Sequence, residues 1–475
     1  MTEPSGPTLE AIAGAWDEHA LPALREFVAI PAKSPGFDPD WAQHGELDRA
    51  VALGEAFCRE RLPEAEVEVV RLPGRTPVLL VDDPGDGADA GTVLFYGHLD
   101  KQPENTGWSG GLGPWEPVVR DGRLYGRGAV DDGYALFSAA VAMRALADAG
   151  VRRPRAVFLI ETCEESGSFD LPAYLDELAP RIGSPDLVVV PDAGCGTYDR
   201  LWCTTSLRGM VTGGLRVEVL EEGVHSGDAG GVVPSSFRIL RALLSRLEDE
   251  RTGRIRLPET QVEIPELRRR QAEQAGGLLG EVTRTRYPLL PAVEVQSAVP
   301  AERILDRSWR AAVEVTGAAG LPSMEQAGNV LRPFTEVRLA LRLPPTADAR
   351  AAAEAAGELL ETDPPYGARV GFTVDSVADG WAQPEPAEWF THALSRASCS
   401  FFGHEPVSMG EGGTIPLLAW LQERFPDAEY LVTGVAGPGS NSHGPDEFLH
   451  LDATRRLTAC LAEVARGLAA ARNGG

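Results

Sequence analysis

TVLFYGHLD (92–100) joins a continuously apolar run to a histidine and an aspartate. AVFLIE (156–161) and LVVVP (187–191) have the same apolar character, and helical periodicity from about 131 to 149 separates the first two runs. Strands of continuously apolar residues are typical of a sheet that helices cover on both faces. The sequence therefore predicts an α/β fold with a mostly parallel sheet.

A different pattern occupies the stretch from about 207 to 380. Strand-like and helix-like runs alternate there in a βαβαβ order, with a polar and helical insertion near 251–300. This order predicts a small inserted α+β domain of ferredoxin-like type. The runs are GMVTGGLRVEVLE, PSSFRILRALLSRLEDE, FTEVRLALRLPP, TADARAAAEAAGELLET and ARVGFTVDS.

The sheet pattern returns after this insertion, with the β-type run YLVTGV (430–435) and a closing amphipathic helix from about 451 to 472. We therefore predict a catalytic domain made of two chain segments, with the second domain inserted between them. The predicted boundaries are 1–206 for the first catalytic segment, 207–380 for the inserted domain and 381–475 for the second catalytic segment.

Residues of metal-ligand type follow four predicted strands, and Asp131 adds a fifth position at the predicted start of a helix. Because the carboxyl ends of parallel strands meet at one edge of a sheet, we expect these side chains to converge. Imidazole and carboxylate groups together suit zinc, with manganese or cobalt as alternatives. Each residue taken singly could be a helix cap or a solvated loop residue, so the prediction rests on the combination. The residues are His98, Asp100, Asp131 in GRGAVDDG, Glu164, Glu165, Asp192 and His443.

Two metal ions are predicted because two histidines and at least three acids exceed the ligands of one four-coordinate zinc. Asp131 would bridge the two ions, and such a pair can hold a hydroxide and polarise a scissile carbonyl. Asp100 is placed to accept the second N–H of His98. Of Glu164 and Glu165, one can bind metal while the other serves as general base.

The composition excludes several other classes of protein. The 475 residues carry 44 basic and 70 acidic side chains, and the net charge of -26 disfavours nucleic-acid binding. Six scattered cysteines without a C-x-x-C pair predict no disulfide framework. No apolar run approaches about 18 residues, and the N-terminus lacks the pattern of a signal peptide. We therefore expect a cytoplasmic protein without a nucleic-acid or membrane partner.

The motifs together resemble those of one family in their identity and order. They are similar to the co-catalytic metallopeptidases, which include carnosinases, cytosolic non-specific dipeptidase, glutamate carboxypeptidase, aminoacylase and succinyl-diaminopimelate desuccinylase. The resemblance spans roughly residues 20 to 470 and is strongest to the dipeptidase branch. The motifs are YGHLD (96–100), GRGAVDDG (126–133), ETCEESGS (161–168), PDAG (191–194), VHSGDAGG (224–231), LRLPP (341–345), GEGGTIP (410–416) and NSHGPDE (441–447).

The resemblance implies two zinc ions, a glutamate base and a lid and dimerisation role for the inserted domain. It also implies a cis peptide bond after Asp131. The general base would be Glu164. The implied ligands are His98 and Asp192 for one zinc ion, Glu165 and His443 for the other, and Asp131 between them.

Substrate contacts in and near the inserted domain are implied as well. His225 would reach the active site of a partner subunit and steady the oxyanion, which implies a homodimer. Arg342 would pair with the free carboxylate of the substrate, for which a planar guanidinium is well suited. Thr414 would lie beside that carboxylate, in the loop that begins at Glu411. From the residues alone, His225 could stabilise its own turn and Arg342 could form a structural ion pair.

Two glycines depart from the pattern of the family. Gly133 stands where lysine is common, and Gly410 stands where arginine often precedes the Glu-Gly-Gly motif. The prediction is a hydrolase that cleaves the amide bond of dipeptides or short peptide-like substrates with a free carboxylate. The alternatives are an N-acyl-amino-acid deacylase or desuccinylase of the same family and a non-catalytic metal- or peptide-binding relative.

Overall fold

The computed structural model describes residues 6–473, which divide into two compact units. The first unit comprises the residues up to Thr204, Gln383–Ser408 and the residues from Trp420 onward. The second comprises Thr205–Ala382 and Met409–Ala419, so the latter segment joins a different unit from the predicted catalytic segment around it. Within residues 6–473, every helix is too short or too polar to cross a membrane.

Strands and helices alternate along most of the described chain. The strands are β1 (Glu66–Val70), β2 (Val78–Asp83), β3 (Thr92–His98), β4 (Val118–Arg120), β5 (Arg123–Tyr125), β6 (Arg155–Glu161), β7 (Leu187–Val190), β8 (Trp202–Leu207), β9 (Gly209–Glu218), β10 (Val224–His225), β11 (Ala312–Ala319), β12 (Val330–Leu331), β13 (Phe334–Leu343), β14 (Arg369–Ala378), β15 (Trp381–Ala382), β16 (Val407–Glu411), β17 (Glu429–Val432) and β18 (Phe448–His450). The α-helices are α1 (Leu9–Ala15), α2 (Leu21–Val28), α3 (Trp41–His44), α4 (Glu46–Arg61), α5 (Tyr134–Asp148), α6 (Leu171–Ile182), α7 (Ser226–Ala229), α8 (Ser236–Leu247), α9 (Glu266–Leu279), α10 (Val282–Thr285), α11 (Pro300–Ser308), α12 (Ala349–Glu361), α13 (Glu388–Phe402), α14 (Pro416–Arg424) and α15 (Leu451–Asn473).

The six-stranded sheet of the first unit has the order β1-β2-β6-β3-β7-β17. Strands β6, β3, β7 and β17 run parallel, whereas β1 and β2 extend the sheet in antiparallel fashion. His98 at the end of β3 lies opposite Glu161 at the end of β6, so these two strands end level with each other. The mostly parallel sheet predicted from the apolar runs is confirmed.

Helix α5 forms much of the core behind this sheet. Its side chains are buried over most of its length, and Phe137 meets Phe57 of α4 edge to face at 4.8 Å. Gly133 precedes α5 at a close approach to α2, since an added Cβ would lie 2.2 Å from the ring of Phe27. Packing therefore explains why this chain has glycine where the resembling family commonly has lysine.

The second unit contains an antiparallel sheet in the order β11-β13-β9-β14, with α8 and α12 packed on it. This strand order, with two strand–helix–strand repeats, is the ferredoxin-like arrangement that the sequence predicts. The apolar pattern does not predict β11, because this edge strand leaves most of its side chains exposed. Helices α9, α10 and α11 form the helical insertion between α8 and β11.

Candidate active site

The predicted metal-site residues lie in the first unit. Asp131 lies in the turn before α5, and the others lie at the ends of strands or in the loops that follow them. Strands β3, β6 and β7 run parallel there, and the chain turns at their carboxyl ends. Two groups of three side chains form, and in each group the possible ligand atoms lie within 4.8 Å of one another. The first group is His98, Glu164 and Asp192, and the second is Asp131, Glu165 and His443.

His98 is buried at the centre of the first group. Its Nε2 lies 3.4 Å from Oδ1 of Asp131 and 3.7 Å from Oδ2 of Asp192. Oε2 of Glu164 is 3.9 Å away. Although buried, His98 Nε2 makes no hydrogen bond within residues 6–473. A buried imidazole nitrogen that faces three carboxylates without a hydrogen bond fits a bound cation.

His443 faces the other oxygen of Asp131. Its Nε2 lies 2.8 Å from Asp131 Oδ2 and 3.3 Å from Glu165 Oε2. Glu165 Oε1 is buried, again with no hydrogen-bond partner in the described part of the chain. Asp131 thus turns one oxygen to each histidine, and the imidazole and carboxylate donors fit divalent cations.

Asp132 follows Asp131 through a cis peptide bond, as the resemblance implies. Its carboxylate is buried and both oxygens lack a hydrogen-bond partner among the described residues. An added Cβ on Gly97 would lie 3.0 Å from Asp132 Oδ2, which places the carboxylate against β3. Asp132 is a member of neither ligand group.

Burial raises the pKa of most carboxylates in the two groups. The pKa of Glu164 rises to about 7, and burial raises the pKa values of Glu165 and Asp192 well above their usual range. Burial acts in the same direction on Asp131, but the nearby imidazoles of His443 and His98 outweigh it and lower the pKa of this carboxyl. Acids crowded this closely repel one another when ionised, so a cation between them would stabilise the charged forms.

The second unit holds Arg342, Thr414 and Glu411. Arg342 Nη1 donates to Thr414 Oγ1 at 2.8 Å, and that hydroxyl donates to the carbonyl of Arg208 at 2.7 Å. Glu411 pairs with Arg307 of α11 at 2.7 Å. The structure therefore brings Arg342 and Thr414 into contact, while Glu411 is an ion-pair partner at the start of the same loop.

His225 is exposed on the short β10–β12 pair of the second unit. Its Nδ1 accepts a hydrogen bond from the backbone N–H of Gly227 at 3.1 Å. The turn-stabilising contact is therefore present. Because Nδ1 is an acceptor, a neutral ring carries its proton on Nε2, where it can be donated elsewhere.

Comparison with known proteins identifies the family. Residues 94–467 match the sequence profile described as "Peptidase family M20/M25/M40". The chain belongs to this peptidase family. It is 30% identical over 415 residues to cysteinylglycine-S-conjugate dipeptidase of Corynebacterium striatum, covering 86% of this chain and 88% of the relative. It is 27% identical over 463 residues to beta-Ala-His dipeptidase of Homo sapiens, covering 93% of this chain and 89% of the relative.

Solved structures of family members share the fold. Human carnosine dipeptidase 1 superposes with a TM-score of 0.74 at 23% identity, covering 97% of this chain and 98% of that chain. The M20 family metallo-carboxypeptidase Sso-CP2 from Sulfolobus solfataricus superposes with a TM-score of 0.75 at 19% identity, covering 95% of this chain and 99% of that chain. The α/β architecture of this peptidase is therefore that of the family.

Asp100 contacts His98 differently from the expectation. His98 Nδ1 lies 3.0 Å from the backbone carbonyl of Asp100 and donates to it, while the carboxylate oxygen Oδ1 lies at 3.5 Å. That carboxylate accepts the backbone N–H groups of Glu164 and Glu165 at 3.1 and 3.0 Å. Asp100 thus orients the imidazole through its main chain and fixes the turn of the two glutamates through its side chain.

Polar residues just after β3 support the second ligand group of the peptidase. Gln102 Nε2 donates to Glu165 Oε2 at 2.6 Å, and Asn105 Nδ2 donates to the carbonyl of His443 at 2.7 Å. Both residues lie in KQPENTGW (101–108), to which sequence reasoning assigns no role. Their polar character so close to a ligand strand is the one signal that could indicate them.

A buried ion pair joins two ligand loops that are far apart in sequence. Arg127 Nη1 lies 2.6 Å from Glu447 Oε2, and both side chains are almost completely buried. Glu447 Oε1 accepts the backbone N–H of Val130 at 3.1 Å, and Arg127 Nη2 donates to the carbonyl of Gly444 at 2.9 Å. The pair therefore connects the turn that carries Asp131 with the loop that carries His443.

Proposed function

We propose that this peptidase is a dipeptidase that holds two zinc ions, with manganese or cobalt as alternative metals. The observation that carries the proposal is the position of Asp131, whose two oxygens face His98 and His443 separately. The dipeptidase names of the relatives from Corynebacterium striatum and Homo sapiens support the choice of substrate.

Each residue of the two groups has a role in this proposal. When bound, two divalent cations polarise the peptide carbonyl and acidify the attacking water. Glu164 accepts the proton of that water and returns it to the leaving amine. The backbone N–H of Glu164 is held by Asp100, which orients the turn for this transfer. The proposed ligands are His98 and Asp192 for one ion, Glu165 and His443 for the other, and Asp131 for both, because its two oxygens lie nearest to the two histidines.

The second unit would contribute substrate recognition. Arg342 makes its hydrogen bond to Thr414, and no carboxylate of the described residues forms an ion pair with it. It can therefore hold the free carboxylate of a dipeptide, beside the hydroxyl of Thr414. His225 would donate from Nε2 to the oxyanion in the active site of a partner subunit. The homodimer and the cytoplasmic location stay predictions.

Reconstitution with metal tests the reaction class. Protein stripped by a chelator and reloaded with zinc, manganese or cobalt is expected to regain hydrolysis of dipeptides, measured by release of free amino acids. N-acetyl and N-succinyl amino acids are assayed beside the dipeptides. Cleavage of the acyl substrates alone would establish the deacylase instead. Absence of turnover with every metal and substrate, despite bound ions, would identify a non-catalytic relative.

Replacement of Arg342 tests carboxylate recognition. Arg342→Ala is expected to raise KM for dipeptides about 10–100-fold, because hydrogen bonds to a charged group contribute about 1.5–3 kcal/mol. Arg338→Ala is the matched control, since Arg338 lies on the same strand but is exposed and pairs with Asp375 at 3.0 Å. An unchanged KM in Arg342→Ala would refute the role of this residue.

A further inference from the structure

Arginine side chains of the second unit converge on residues 411–414, which we name the arginine loop. Arg208 Nε donates to the carbonyl of Gly412 at 3.2 Å, and Arg342 donates to the threonine hydroxyl of the loop. An added Cβ at Gly412 would lie 3.0 Å from Arg307 Cγ and 3.2 Å from Arg208 Nη2. Three guanidinium-bearing side chains, from different parts of the second unit, therefore surround one short loop.

Gly410 at the end of β16 is part of this packing. An added Cβ there would lie 2.5 Å from Ser206 Oγ and 2.7 Å from Ser308 Cβ, so a long side chain does not fit. The position where the resembling family often has arginine is thus closed in this chain. The cations near the loop come instead from Arg208, Arg307 and Arg342.

The arginines around the arginine loop carry more positive charge than nearby carboxylates neutralise. Glu411 pairs with Arg307 at 2.7 Å. Within residues 6–473, Arg208, Arg286 and Arg342 form no ion pair with a carboxylate. Burial, together with the charges of Arg342 and Arg307, lowers the pKa of Arg208 to about 10. Such an excess in a chain of net charge -26 indicates a site that receives an anion.

One substrate carboxylate does not neutralise all of this positive charge. A guanidinium binds a carboxylate through two parallel hydrogen bonds, so Arg342 alone is sufficient for the α-carboxylate of a dipeptide. Arg208 then remains half-buried without a carboxylate partner among the described residues. Arg286 lies near Arg307 and Glu411 at the exposed side of the cluster. A second carboxylate on the same substrate residue would neutralise the charge of Arg208.

We infer that the arginine loop selects dipeptides whose C-terminal residue is acidic, aspartate or glutamate. Arg342 takes the α-carboxylate, and Arg208 takes the side-chain carboxylate. The inference rests on the proposed dipeptidase function, and it makes Arg208 a specificity-determining residue. A neutral side chain of the same shape leaves the charge of Arg208 uncompensated, so the discrimination is between charge states rather than sizes.

Matched substrates test the inference on the unaltered enzyme. For metal-loaded protein, kcat/KM for Ala-Glu is expected to exceed kcat/KM for Ala-Gln by at least about 10-fold, because charge-assisted hydrogen bonds are the stronger ones. The ratio should fall as salt rises, since an accessible charge pair is screened. Equal rates on the two dipeptides would overturn the inference and leave the dipeptidase function standing. Failure to cleave any dipeptide would overturn the proposed function itself.

Variants assign the preference to a residue. Arg208→Met is expected to bring the Ala-Glu to Ala-Gln ratio close to one, and Arg208→Lys is expected to retain part of it. Arg338→Met is the control, because Arg338 is exposed and ion-paired on the sheet of the same unit. A ratio unchanged in Arg208→Met would refute the assignment to Arg208. If Arg208→Met does not fold, the Arg208→Lys variant and the substrate ratio of the unaltered enzyme still test the preference for an acidic C-terminal residue.

Discussion

Glu164→Gln is expected to lower kcat for dipeptides by about 10²–10⁴-fold while both metal ions stay bound. The amide has nearly the shape of the carboxylate but cannot accept the proton of the attacking water, and a general base contributes a factor of this size. Turnover is measured on metal-loaded protein, and metal content is measured by elemental mass spectrometry on the same preparation.

The neighbouring glutamate supplies the control. Glu164 Oε2 lies 3.9 Å from His98 Nε2, whereas Glu165 Oε2 lies 3.3 Å from His443 Nε2 and receives a hydrogen bond from Gln102. Glu165→Gln is therefore expected to lose metal together with activity. Loss of metal in Glu164→Gln would show that Glu164 is a ligand, and a retained kcat would show that it is not the base.

The strands that position the site are predictable because they are apolar throughout. β3, β6 and β7 lie at the centre of the sheet and are buried on both faces, so nearly all of their residues are apolar. β1 (EVEVV) and β11 (AVEVTGAA) lie at sheet edges and alternate or expose their side chains, and the apolar pattern misses them. These two edge strands carry a weaker signal because solvent covers part of each one.

The supporting contacts could not be predicted for a different reason. Arg127 and Glu447 are 320 positions apart, and their pairing depends on how two loops meet in space. The arginine loop likewise joins Arg208, Arg307 and residues near 412, which no local pattern connects. Ligand types at strand ends are visible in the sequence, whereas the partners that hold them are set by tertiary packing.

Asp131→Asn is expected to cause the largest loss of metal of any single isosteric change. Among the carboxylates of residues 6–473, Asp131 is the one whose two oxygens face both histidines, at 3.4 Å from His98 Nε2 and 2.8 Å from His443 Nε2. An amide offers one neutral oxygen and a nitrogen that cannot ligate, so both ions lose a charged ligand. Metal content should fall well below that of the unaltered protein, and kcat should fall at least about 10³-fold, beyond the loss of a single electrostatic donor.

Thermal stability gives a readout that is independent of turnover. A ligand that binds only the folded state stabilises it by RT ln(1 + [L]/Kd), about 2.7 kcal/mol at a hundredfold excess over Kd. Adding zinc to metal-stripped protein is therefore expected to raise Tm, and Asp131→Asn should lose most of that rise. Asp132→Asn is the matched control, because this neighbouring buried carboxylate packs against Gly97 and belongs to neither ligand group. Full metal content and an unchanged zinc-dependent rise in Tm in Asp131→Asn would refute the bridging role on which the two-ion proposal depends.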